Sequence, residues 1–146
     1  MNKLLFICSF IFAAHAWCEV DLKFFDAAKK EYLLSTVQND FAKEFNVALQ
    51  PNVIIIKTNT VSNPAYIAQM GILNKEIDAE NMQLLYISVC QDNKCNGGYH
   101  TDMQELEKLI DNESDFAVIL VDDERKVLGS FSHLITANKI KKLYDM

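Results

Sequence analysis

Residues 88–100 read SVCQDNKCNGGYH, with four residues between Cys90 and Cys95 and four more before His100. Three chemistries draw on such a set. A thiol pair exchanges with other disulfides, and a short ring in a glycine-rich loop eases that exchange when it is strained. Two thiolates and an imidazole hold zinc, with His133 as a further donor, but zinc pairs usually carry only about two to four intervening residues and a clear fourth ligand. A structural disulfide is the default for nearby cysteines in an exported chain. Closing a ring of about six residues contributes about 2 kcal/mol in the loop-entropy model. The disulfide Cys90–Cys95 is therefore the expectation. Catalysis by Cys90 and Cys95 is the alternative, and no metal site is assigned.

Other reactive patterns are missing. Gly97-Gly98 belongs to neither phosphate-binding glycine motif and serves turn freedom instead. No G-x-S-x-G occurs, His100 and His133 have no partner motif, and Asp122-Asp123-Glu124 reads as a solvated turn. The reading favours a protein that is not an enzyme and requires no cofactor.

Export is inferred from the first residues. Met1-Asn2-Lys3, the run LLFICSFIFAA and Ala14-His15-Ala16 have the charged, apolar and small-residue order of a secretory signal peptide. The run would span only about 16 Å as a helix, against the ~30 Å of a bilayer core, so no membrane span is expected after its removal. Trp17 ahead of Cys18 argues against a lipoprotein site. Cleavage after Ala16 takes 16 residues from 146 and leaves 130; losing Lys3 leaves thirteen basic against twenty acidic side chains, a net charge of −7. That charge disfavours nucleic acid and anionic membrane as partners. Cys18 becomes an odd thiol, free or intermolecular. The expected location is the periplasm or the exterior.

These residues need a scaffold. Val20 to about Leu49 carries Phe24, Phe25, Ala28, Tyr32, Val37, Phe41 and Phe45 at helical spacing and is expected to be one or two amphipathic helices. Val53-Ile54-Ile55-Ile56 reads as a strand buried on both faces. Asn63 should cap a helix with Pro64 at its first position, running to about Ile77 with Ile67, Met70, Ile72, Leu73 and Ile77 inward. Leu84 to Val89 is a second buried strand, ending at Cys90. Thr101 and Gln104 match a capping box for a helix through Leu106, Leu109 and Ile110. Phe116–Val121 and Val127–Phe131 form a hairpin about a polar turn, and Thr136 caps a last helix holding Ile140 and Leu143.

The order is an N-terminal helical segment and then β-α-β-α-β-β-α, an α/β fold with a central mixed four-stranded sheet. Both strand-helix crossovers are expected to join parallel neighbours. The divisions are residues 1–16 as signal, 17–52 as the helical segment and 53–146 as the core. In its Asn63-Pro64-Ala65-Tyr66 helix start and its FAVILVDDERKVLGSF hairpin, the core resembles the thioredoxin-like superfamily, in particular exported bacterial domains of unknown function without the active-site cysteines. The resemblance implies a Cys-x-x-Cys pair at the helix start, where this chain has Thr60-Val61-Ser62-Asn63. It also implies a cis-proline where this chain has Glu113-Ser114-Asp115-Phe116. With both positions changed, the expected role is a binding or accessory module of the bacterial envelope with a protein partner. Its expected binding rim is Thr58, Asn59, Thr60, Ser62, Asn63, Tyr99 and His100. An atypical thiol–disulfide oxidoreductase using Cys90 and Cys95 is the alternative.

Overall fold

The computed structural model describes residues 19–26, 28–92, 94, 95, 100, 101, 103–110 and 114–146. The leader, Trp17, Cys18, Gly97, Gly98 and Tyr99 lie outside the described residues. For His100, Thr101, Met103 and Gln104 only the backbone is described.

The four β-branched or apolar residues after Pro51 form the middle of the molecule. Strand β3 (Asn52–Thr58) has β4 (Leu84–Cys90) parallel on one side and β6 (Phe116–Val121) antiparallel on the other, and β7 (Val127–Phe131) pairs antiparallel with β6. The order β4-β3-β6-β7 makes a mixed four-stranded sheet. Val53 to Ile56 are fully buried because both faces are covered, as an uninterrupted apolar strand requires.

Alternate residues feed two cores. Ile54, Ile56, Val118 and Leu120 pack with Leu73 of α2 (Pro64–Glu76) and Ile140 of α4 (Ala137–Leu143). Val53, Ile55, Ile87 and Ile119 pack with Phe24, Leu34, Val37 and Leu106 on the other face. Inside α2 the buried side chains are Gln69 and Leu73, while Ile67, expected inward, is 57% exposed. Met70, Ile72, Leu73 and Ile77 meet the core as expected, and Gln69 adds a buried amide that bonds the loop after β7.

The N-terminal segment differs from its helical expectation. Lys23–Phe25 (β1) and Glu31–Leu33 (β2) are antiparallel strands, and only Leu34–Glu44 (α1) is helical. The turn between the strands decides the matter. Asp26 accepts the Lys30 backbone N–H through Oδ1 at 2.9 Å and the Tyr32 hydroxyl through Oδ2 at 3.1 Å, while Lys29 takes φ 63°. An aspartate that bonds its own following backbone competes with helix formation. Asp21 then caps α1 from a distance, accepting the Ser35 N–H at 2.9 Å and the Ser35 hydroxyl at 2.8 Å.

The second crossover also departs from expectation. The pair β3–β4 is parallel, but β6 begins beside Thr58, at the end where β4 finishes, and runs back antiparallel. Its connecting helix α3 (Met103–Glu107) has five residues and rises only about 7 Å. A seven-residue strand spans about 23 Å, so α3 is too short to carry the chain to the other end of the sheet. Thr101, expected as the helix cap, sits in β5 (His100–Thr101) and pairs with Phe24. Capping by Thr136 holds: its hydroxyl accepts the Lys139 N–H at 3.3 Å.

Candidate functional site

The ends of β3 and β4 meet because the two strands run parallel in register, with Thr58 opposite Cys90. After Thr58 the backbone turns through a hydrogen-bonded corner into α2. Asn59 Oδ1 accepts both the Thr60 N–H and the Asn63 side-chain amide at 2.9 Å each. Asn63 Oδ1 accepts the Ala65 N–H at 2.9 Å, which supplies one of the donors that a helix start leaves open. The Thr60 and Ser62 hydroxyls are 2.7 Å apart. Asparagine and hydroxyl groups therefore do here what a tight turn needs, and this corner holds no thiol.

The rim expected from sequence is brought together in part. Asn59, Thr60 and Asn63 are half-buried and Ser62 is exposed, with Val61 40% exposed at the tip. Thr58 is fully buried instead, its hydroxyl donating to the Thr60 carbonyl at 2.8 Å. It braces the corner from inside and presents nothing to a partner. His100 belongs to β5, which pairs with β1, and Tyr99 and the His100 side chain lie outside what is described.

Beyond β4 the chain is held to the same corner. The Gln91 N–H donates to the Thr58 carbonyl at 2.9 Å and the Asp92 N–H to the Asn59 carbonyl at 3.2 Å. Cys90 and Cys95 lie at disulfide-bonding distance, with Cα atoms 5.4 Å apart. Cys90 is buried and Cys95 is half-buried. The pair thus stands one strand away from the thiol-free corner, against the same carbonyls.

Two supports were not anticipated from the sequence. Lys57, 4% exposed, donates from Nζ to the Ser114 carbonyl at 2.9 Å, and the Asn59 N–H donates to the Asp115 carbonyl at 2.9 Å. Together they tie the corner to the segment before β6, where the described residues contain no cis peptide bond. Gln69 clamps the loop after β7, donating to the Ile135 carbonyl at 3.1 Å and accepting the Ile135 N–H at 2.9 Å. A lysine after four apolar strand residues and a glutamine on an apolar helix were the available signals.

His133 is exposed and edges against Phe131, with ring centroids 5.8 Å apart. Among the described residues no group of three histidine, cysteine or acidic side chains is placed to hold a metal, and no helix is long and apolar enough to cross a membrane. Burial, with the charge of Asp78, pushes the Tyr86 phenol of β4 up to about 12.

No protein-family model matches the chain, and no curated protein matches it. Among solved structures it is similar to a crystal structure of a "putative electron transport protein from Aquifex aeolicus VF5", with TM-score 0.55 and 11% identity over 90% of this chain and 99% of that one. At that identity the likeness shows the fold alone, a thioredoxin-like α/β arrangement.

Proposed function

We propose that the chain is a binding or accessory module that uses a thioredoxin-like fold without the thioredoxin type of reactive centre, and that it works in the bacterial envelope after export. The observation that carries this reading is the corner Thr60–Asn63. Its turn is closed by amide and hydroxyl hydrogen bonds, and the neighbouring cysteines stand at the end of a different strand. The exposed Val61 and Ser62, the half-buried Asn59, Thr60 and Asn63, and Gln91, Asp92 and Cys95 after β4 form the binding rim. The leader pattern Met1 to Ala16 supports export, and a disulfide suits that compartment.

The test is capture from periplasmic extract with the intact protein as bait. A specific protein should be retained by the wild type and lost when Val61→Glu and Tyr99→Ala are introduced. Retention unchanged by both substitutions overturns the rim as the binding surface.

One observation favours a second reading, thiol–disulfide exchange. Cys95 is half-buried whereas Cys90 is buried, so Cys95 is the accessible sulfur. In that reading an external dithiol reduces the pair. The Cys95 thiolate then attacks a partner disulfide to form a mixed disulfide, releasing one partner thiolate. Cys90 displaces the second partner sulfur and closes the ring again. A Cys90→Ala variant would then trap the mixed disulfide. The description of the Aquifex protein as an electron transport protein is compatible with such chemistry, but the likeness extends to the fold only.

A further inference from the structure

The end of the main sheet away from the Thr58 and Cys90 corner carries a surface of a different kind. β3 and β4 begin there and β6 ends there, about 23 Å from the corner for a seven-residue strand. Two cavities open side by side at this end, and Gln83 lines both. The first, of about 370 Å³, has walls of Phe41, Phe45, Val47, Ala79 and Leu84, with Glu80 as its charged residue. The second, of about 410 Å³, sets Leu49, Met82 and Leu128 beside Asp122, Asp123 and Asp145.

The apolar part of this surface faces solvent. Leu49 is 66% exposed and Phe45 55%, and the Phe45 ring centroid lies 4.6 Å from that of Phe41. Single exposed apolar side chains are ordinary, but several gathered around a cavity mark a binding surface. The charge here is of one sign. Among the described residues no lysine or arginine lines either cavity, and none of Glu80, Asp122, Asp123 and Asp145 makes an ion pair. The bases of the neighbouring turn are engaged elsewhere, Arg125 with Glu19 and Lys126 with Glu124. Asp122 Oδ1 accepts the backbone N–H groups of Glu124 at 2.9 Å and Lys126 at 2.8 Å, which orients the carboxylate and leaves it charged.

We propose that the paired cavities bind a peptide segment of another protein in which a large apolar side chain lies close to a lysine or arginine. The apolar group fills the cavity walled by Phe41 and Phe45, and the cation meets Asp122, Asp123 and Asp145 in the other. Charge complementarity selects this occupant. Four carboxylates without a base among them repel nucleic acid and anionic lipid. A two-fold contact between copies of this chain through the same surface would set those carboxylates against one another. A small ligand is usually held by one pocket that buries most of its surface. Two open cavities on either side of Gln83 suit neighbouring side chains of a segment laid across them. This surface is separate from the rim around Val61, so the two can be tested independently.

The experiment is selection of a phage-displayed library of random peptides on the intact protein, followed by fluorescence anisotropy with the most enriched peptide. Enriched sequences should pair leucine, isoleucine or phenylalanine with lysine or arginine. Phe45→Ser should weaken binding of that peptide about tenfold. Asp123→Asn with Asp145→Asn should weaken it about fivefold, and a peptide whose basic residues are replaced by glutamine should no longer distinguish that double variant from the wild type. Val61→Glu should leave binding unchanged. Phe45 and Asp145 are exposed, so these variants keep a readout that does not depend on the core. Four results would each overturn the proposal: no enrichment above background, enriched peptides without a basic residue, binding indifferent to Phe45→Ser, or binding lost with Val61→Glu. Self-association of the free protein that Phe45→Ser abolishes would also overturn it, by giving the surface to a second copy.

Discussion

Thr58 and Cys90 are register partners on neighbouring parallel strands, yet the chain leaves them by opposite devices. Beyond Thr58 the turn is held by side-chain hydrogen bonds from Asn59, Thr60 and Asn63, which lead straight into a thirteen-residue helix. Beyond Cys90 the turn is held by two backbone hydrogen bonds and the approach of Cys95, with no helix among the described residues from 91 to 101. A helix lets its first turn be fixed by a cap. A loop without one must be closed in some other way, and Cys90 and Cys95 lie close enough to supply a covalent staple.

The largest expected effect falls on the stapled side. Replacing both Cys90 and Cys95 by alanine should cost about 2 kcal/mol of unfolding free energy, measured by urea denaturation. A loss below about 0.5 kcal/mol would show that the Gln91 and Asp92 hydrogen bonds hold the loop unaided. On the capped side, Asn63→Ala removes the acceptor of the Ala65 N–H and the link to Asn59, and should cost about 1 kcal/mol. Equal losses at the two corners would erase the distinction between them.

The smallest effect sharpens what separates β4 from β3. The Tyr86 hydroxyl is buried and has no hydrogen-bond partner among the described residues, so Tyr86→Phe should change stability at neutral pH by less than about 0.5 kcal/mol. The alkaline limb should differ. A phenol held up to about 12 in the fold against 10 unfolded favours its neutral form. Its contribution is complete below pH 10 and is lost as the pH rises towards 12. Stability curves across that window should be shallower for the phenylalanine variant. Part of the slope should remain, because burial also pushes the Tyr144 phenol up.

Much of the scaffold was readable from residue patterns, and the failures have physical causes. Val53–Ile56, Leu84–Val89 and the Phe116–Phe131 hairpin are apolar runs whose length and branching allow few other conformations, and they occur as strands. Asn63-Pro64 started its helix as expected because a cap and a fixed φ act locally. The β1–β2 hairpin was missed because Phe24, Phe25 and Tyr32 suit a helical spacing equally well, and the Asp26 turn decides between them. The direction of β6 was missed because α3 is shorter than its apolar spacing implied. At the site, nearness in a chain read as exported was enough to pair Cys90 with Cys95, which lie at disulfide distance. The burial of Thr58 and the supporting roles of Lys57 and Gln69 depend on contacts between residues distant in the chain.

The most direct test of a thiol-free corner beside a structural disulfide is the rate at which dithiothreitol reduces insulin, with and without the protein. Addition of the protein should leave that rate unchanged, and Cys90–Cys95 should stay oxidised throughout. A catalytic acceleration that disappears in a Cys95→Ala variant would contradict the assignment and make the stapled corner the reactive one.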